Sequence, residues 1–381
     1  MRTANQVGAA LDDYALSWRR AREAACLDAD PQGGAGLAAD LGARRVECLE
    51  EQAAQFEGTV ELLLDADKLA VSRALRTAQD LPDPGRCADV RHLERLPARP
   101  EDPETRRRVH EHFKALSSLI ADEHMGAFTD GLAGARAVLT EAEAIGYAPL
   151  LASAHYRVGA FLEKLGKYEE AAEHVLEAYR EAAVIGDEEQ AGYAANYLAH
   201  IEGYQLARYD VGMRWAQIGE VHHRRGGAER TLREAQRLDV LAVMLEMRGD
   251  LEASLRTHER SIALRRAIAD GDKSLGYGLH NYAAVLEAAG ELERSRAARL
   301  ESIAILEAHF GRDNPTTAHA RFSLANLERD LGHYDAAEAA IREVMGIWAR
   351  SLGEAHPDYG DTLNALGRVR VLQGRAVEGV D

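Results

Sequence analysis

Apolar residues along this chain recur at the three- and four-residue spacing of helices almost from end to end. Near the start, Leu11, Tyr14, Ala15, Trp18 and Ala25 form the stripe of an amphipathic helix, which predicts a helix over residues 3–29. The phrase DADPQGG breaks it. A second helix is expected from about 35 to 64, a third over 68–79 behind an Asp67 cap, and a short one near 87–93 after the LPDPG turn.

From there the pattern becomes repetitive. The phrases EKLGKYEEA, EMRGDLEAS, EAAGELERS and RDLGHYDAA place Gly166, Gly249, Gly290 and Gly332 at the same point. A looser copy, QLARYDVG, puts Ala207 there, and Gly374 follows; these six positions advance in steps of 41 or 42 residues. An upstream copy falls at Gly126, with Phe128 and Gly131 in the matching places. The loops FGRDNP and LGEAHP keep the same step, with Pro315 and Pro357 each opening a helix. Glycine or alanine at such a point permits the positive φ of a tight turn between two helices. The small residues Ala171, Ser254, Ser295 and Ala337 let the two helices approach, and Ala178, Ser261 and Ser302 are expected to hold the next repeat. Each hairpin leaves an apolar face that only its neighbours can cover, so the hairpins must stack.

This pattern resembles the tetratricopeptide repeat, and the long step with its LG-x-x-HP loops resembles the kinesin-light-chain variety. The resemblance implies an all-α fold, a right-handed superhelical solenoid of antiparallel helix pairs preceded by an N-terminal helical segment. The expected division is residues 1–110 for the N-terminal region and 111–381 for about six to seven repeats, the last incomplete. Within the first region, LDDYALSWRRAREAAC, ARRVECLEE and LPDPGRCADVRHL resemble the segment that leads into the repeats of large bacterial serine/threonine protein kinases. That resemblance implies a regulatory or partner-recruiting role beside such a kinase. The kinase motifs are absent: the sequence has no glycine-rich phosphate loop, VAIK-like lysine, HRD or DFG. No catalytic activity is expected.

Composition narrows the partners. The net charge of −17 opposes nucleic acid, which would be repelled at long range. No run approaches the ~20 apolar residues of a membrane-spanning helix, and a cytoplasmic location is expected. Cys26, Cys48 and Cys87 are too few and too scattered for a disulfide framework, so a reducing compartment and core packing are expected for them. His110 with His112, and His222 with His223, sit at spacings that point to different helix faces, so neither pair is expected to hold a metal. No cofactor motif occurs.

What remains is the inner wall of the stack. Counting back from each turn along the first helix of a repeat gives Tyr156, Tyr197, Tyr204, His280, Asn281, Phe322, Asn326, Arg329, Asn364 and Arg368 as candidate groove residues. Amides can bond a peptide backbone, rings can clasp its side chains and guanidinium groups can meet a carboxylate. The same residue types also serve as packing between helices. The function expected is a binding scaffold for a protein or peptide. The alternative is a peptide-sensing regulator whose repeats close around a small signal peptide.

Overall fold

The computed structural model describes residues 2–29, 39–65, 81–95, 97–227, 231–269, 272–351, 353–354 and 356–375. All the regular structure within them is helical. The expected helix over 68–79 and its Asp67 cap lie outside these residues. The chain forms two compact units, divided after Gly227.

In the first unit, α1 (Arg2–Ala29) and α2 (Ala39–Asp65) run antiparallel. Tyr14 stacks on Phe56 at 5.1 Å, and the Trp18 indole donates to the carbonyl of Leu49 at 2.7 Å. A 3₁₀ turn (Pro84–Ala88) and the short α3 (Val90–Arg95) fold back on this pair. They bury Cys87 beside Ala25 and Leu49. Here the reading of the cysteines is corrected: Cys48 and Cys87 form a disulfide, and only Cys26 is an exposed free thiol. The two partners are 39 residues apart in sequence, and only the fold-back of the turn brings their Cα atoms to 5.7 Å, within bonding range.

Three hairpins follow: α4 (Pro103–Met125) with α5 (Phe128–Ile145), α6 (Ala148–Lys164) with α7 (Tyr168–Val184), and α8 (Glu188–His200) with α9 (Tyr209–Arg225). A π-helical turn, Ile201–Gln205, extends α8. One apolar core runs through all three, from Val109 and Phe113 through Leu150, Val158 and Phe161 to Leu198 and Ile201.

The second unit repeats the theme with α10 (Leu232–Met247) and α11 (Leu251–Ala269), α12 (Lys273–Ala288) and α13 (Leu292–Phe310), α14 (Pro315–Asp330) and α15 (Tyr334–Ser351), then α16 (Pro357–Leu372). Its core gathers Leu275, Leu279 and Leu286, then Ile341, Val344 and Trp348. Prolines open α4, α14 and α16 at the first position, where the missing N–H has no helical partner to lose. Asp102, Asn314 and His356 cap those helices with side-chain hydrogen bonds.

The hairpin turns fall where the phrase places them. Gly126, Gly166, Gly249, Gly290, Gly332 and Gly374 all have positive φ, and Ala207 adopts φ 52° in the same role. A second series with positive φ, Gly146, Gly186, Gly227, Gly311 and Gly353, turns the chain between hairpins. The small residues of the phrase are fully buried: Ala171, Ser254, Ser295 and Ala337, then Ala178, Ser261 and Ser302. The partner expected for the later set is corrected by the hydrogen bonds. Ser261 donates to the carbonyl of Ala235 at 3.0 Å and Ser302 to that of Gly276 at 2.7 Å, so each holds the first helix of its own hairpin. Seven residues carry the second helix back along an antiparallel mate, not outward to the next pair.

Candidate functional site

First helices of neighbouring hairpins touch in both units: α4 meets α6 and α6 meets α8 in the first, while α10 meets α12 and α14 meets α16 in the second. No pair of second helices makes a comparable contact among the described residues. The first helices therefore form the tighter, inner side, and their outward-facing residues line it.

In the first unit this side carries a row of rings. Tyr156 on α6 lies 6.4 Å from Tyr193 and 5.4 Å from Tyr197, both on α8. Tyr197 stacks on His200 at 6.2 Å, and His200 on Tyr204 at 5.6 Å. The last step pairs residues four apart, one above the other along the helix, and it spans the π turn; such turns are often found at functional sites. Tyr204 remains 48% exposed.

Under the row sits Glu163, buried at the end of α6. It accepts from Gln205 at 2.9 Å and from the Tyr197 hydroxyl at 3.3 Å, with Lys164 at 3.0 Å and His200 at 3.6 Å. Burial opposes its charge, but bonds from His200 and Lys164 and their positive potential outweigh it and hold the carboxyl down at about 2. Burial, with Tyr156 and Glu163 nearby, pushes the Tyr197 phenol well above its usual value, so it stays a neutral donor. The carboxylate thus anchors Tyr197 and His200 in the middle of the row.

In the second unit, the imidazoles of His280 on α12 and His319 on α14 lie 5.5 Å apart. They line a cleft of about 360 Å³ with Tyr277, Leu306, Pro315 and His356. Burial, then Arg299 and His319, pulls His280 down to about 4, so its ring is neutral near pH 7.

The ten residues read from the sequence are therefore placed as follows. Tyr156, Tyr197 and Tyr204 come together in one row. His280 lines the cleft. Phe322 turns into the packing of the second unit, edge-on to Trp348 at 5.4 Å. Asn326 bonds the carbonyl of Phe322 and accepts from Arg329, which also pairs with Asp330. Asn281, Asn364 and Arg368 are exposed. Sequence reasoning missed Tyr193, His200 and Glu163 in the first unit. His319 in the second was detectable, because it stands one helical turn before the candidate Phe322. Among the described residues no group of three or more His, Cys, Asp or Glu could hold a metal, and no helix is long and apolar enough to cross a membrane.

Residues 274–347 match the tetratricopeptide repeat family. The fold is a tetratricopeptide-repeat solenoid. Among solved structures, the repeats resemble BtubC (BKLC) from P. vanneervenii, 17% identical, with a TM-score of 0.53 over 61% of this chain and 94% of that one. A Rap protein complexed with Competence and Sporulation Factor is 17% identical, with a TM-score of 0.53 over 86% of this chain and 87% of that one. The apo form of RapI is 12% identical, with a TM-score of 0.54 over 86% and 85%. No curated protein matches the chain.

Proposed function

We propose that the inner side of this tetratricopeptide-repeat solenoid binds an extended polypeptide and that the chain acts as a non-catalytic recruiting scaffold. The row from Tyr193 through Tyr156, Tyr197 and His200 to Tyr204 carries the proposal. Rings packed on one another, with Tyr197 and His200 anchored on the buried Glu163, offer large contact area with little rotamer entropy left to lose on binding. The exposed amides of Asn281 and Asn364 suit backbone hydrogen bonding in the second unit. An affinity around micromolar, about −8 kcal/mol, would suit reversible recruitment. Selection of peptides from a random display library, then photo-cross-linking of the strongest binder, tests this. Adducts on α6 and α8 are expected, and adducts confined to α7 and α9 would refute it.

A second reading, a regulator that senses a small peptide, is supported by the likeness to the Rap protein complexed with Competence and Sporulation Factor, which spans 86% of this chain. Small-angle scattering separates the two. A fall in radius of gyration on adding the selected peptide favours sensing, and an unchanged curve favours the scaffold. The kinase link rests on the N-terminal phrases alone, and co-purification with a co-expressed serine/threonine kinase domain tests it.

A further inference from the structure

The disulfide joins two parts of the first unit that meet nowhere else through a covalent bond. Cys87 lies in the 3₁₀ turn next to Arg86, and Arg86 reaches the start of α8, pairing with Glu189 and lying 3.7 Å from Asp187. Asp187 is the N-cap of α8, accepting from the amide of Gln190 at 3.1 Å. The neighbouring Glu188 is itself buried, held by His222 at 2.8 Å and Arg225 at 2.7 Å. Between turn and helix lies a polar cleft of about 490 Å³ lined by Arg86, Asp89, Val90, Glu188, Glu189 and Arg225. Besides the disulfide, hydrogen bonds from Gln52 to the carbonyl of Asp83 and from Arg44 to that of Leu93 tie the turn and α3 to α2.

We propose that Cys48–Cys87 is a redox modification site whose reduction releases the 3₁₀ turn and so loosens the Arg86 grip on the start of α8. Cys87 is fully buried whereas Cys48 is half-buried, so attack by a thiolate is assigned to the Cys48 side of the bond. Attack by one thiolate of a dithiol reductant breaks the S–S bond, and Cys87 leaves as a thiolate. The second thiol of the reductant then displaces Cys48 and forms the reductant's own disulfide, so two electrons pass to the cystine. The cross-link restricts the unfolded form of this segment, and its loss lets the turn open locally. α8 carries Tyr193, Tyr197 and His200, so the redox state of the N-terminal region would set the order of the ring row. The inference stands whether or not that row binds a peptide.

The test uses the full-length chain purified without reductant. Alkylation under denaturing conditions should attach one label, on Cys26, before dithiothreitol and three after it. Hydrogen exchange of the native protein with and without dithiothreitol is then compared. Expected is a loss of protection confined to residues 81–95 and 186–200, with 273–330 unchanged. Arg86→Ala with the disulfide intact should loosen 186–192 alone. Three labels without reductant, equal exchange in the two redox states, loss of protection throughout the chain, or no effect of Arg86→Ala would each overturn the proposal.

Discussion

Single residues carry the clearest consequences of the repeat. Ala207 is the one non-glycine residue with positive φ among the described residues, in a conformation that disfavours a Cβ by about 1–2 kcal/mol. Glycine's greater freedom to lose on folding offsets only part of that penalty, so Ala207→Gly should stabilise by up to about 1 kcal/mol in urea unfolding. A destabilised variant would mean that the π turn requires the methyl group. His280 supplies a pH prediction. Its folded value, about 4, lies below the usual 6.5, so the unfolded chain takes up a proton first as pH falls. Its contribution to stability is therefore complete above pH 6.5 and is lost on the way down to about 4. His155 and His174, in hydrogen-bond contact at 3.1 Å and both depressed chiefly by burial, act in the same direction. Melting temperature should fall over this window, and His280→Gln should flatten part of the slope.

At the level of the helical element, the turn glycines and small residues were legible because each is dictated by a local requirement, a positive φ or a close approach, that few residue types satisfy. Ala337 shows the second requirement: it is fully buried where α15 meets α14. Ala337→Leu should cost about 1–3 kcal/mol in thermal unfolding, and an unchanged melting temperature would contradict this packing. Less legible were buried ionic contacts, whose partners lie on different helices. Asp239 on α10 holds Arg265 of α11 at 2.7 Å and, at 2.6 Å, shares the Ser261 hydroxyl proton with the carbonyl of Ala235. Asp239→Ala leaves a buried guanidinium without its carboxylate and should destabilise by about 3 kcal/mol, measured by denaturant titration. Phe322 was misleading for a related reason: an aromatic on an inner helix reads the same whether it faces the groove or the helix behind it.

At the scale of the whole chain, periodicity and phase gave the all-helical repeat because two independent markers, turn glycines and helix-opening prolines, advance together. The disulfide was not legible, since a 3₁₀ turn that doubles back leaves no periodic trace. Nor was the π turn, which replaces ordinary α-helical winding over Ile201–Gln205 and leaves no mark in the residue pattern. The net charge of −17 bears on partners at this scale: association with a basic peptide should slow and weaken as salt rises, whereas a purely apolar ligand should be little affected. The most direct test of the inner-side account is calorimetric titration of the best library-selected peptide into the wild-type chain, a Tyr156→Ala/Tyr197→Ala/Tyr204→Ala variant, and a Val184→Ala/Val221→Ala variant on the second helices. The account predicts at least a roughly tenfold weaker Kd, about 1.4 kcal/mol, in the tyrosine variant alone. Equal affinity in all three proteins would contradict it.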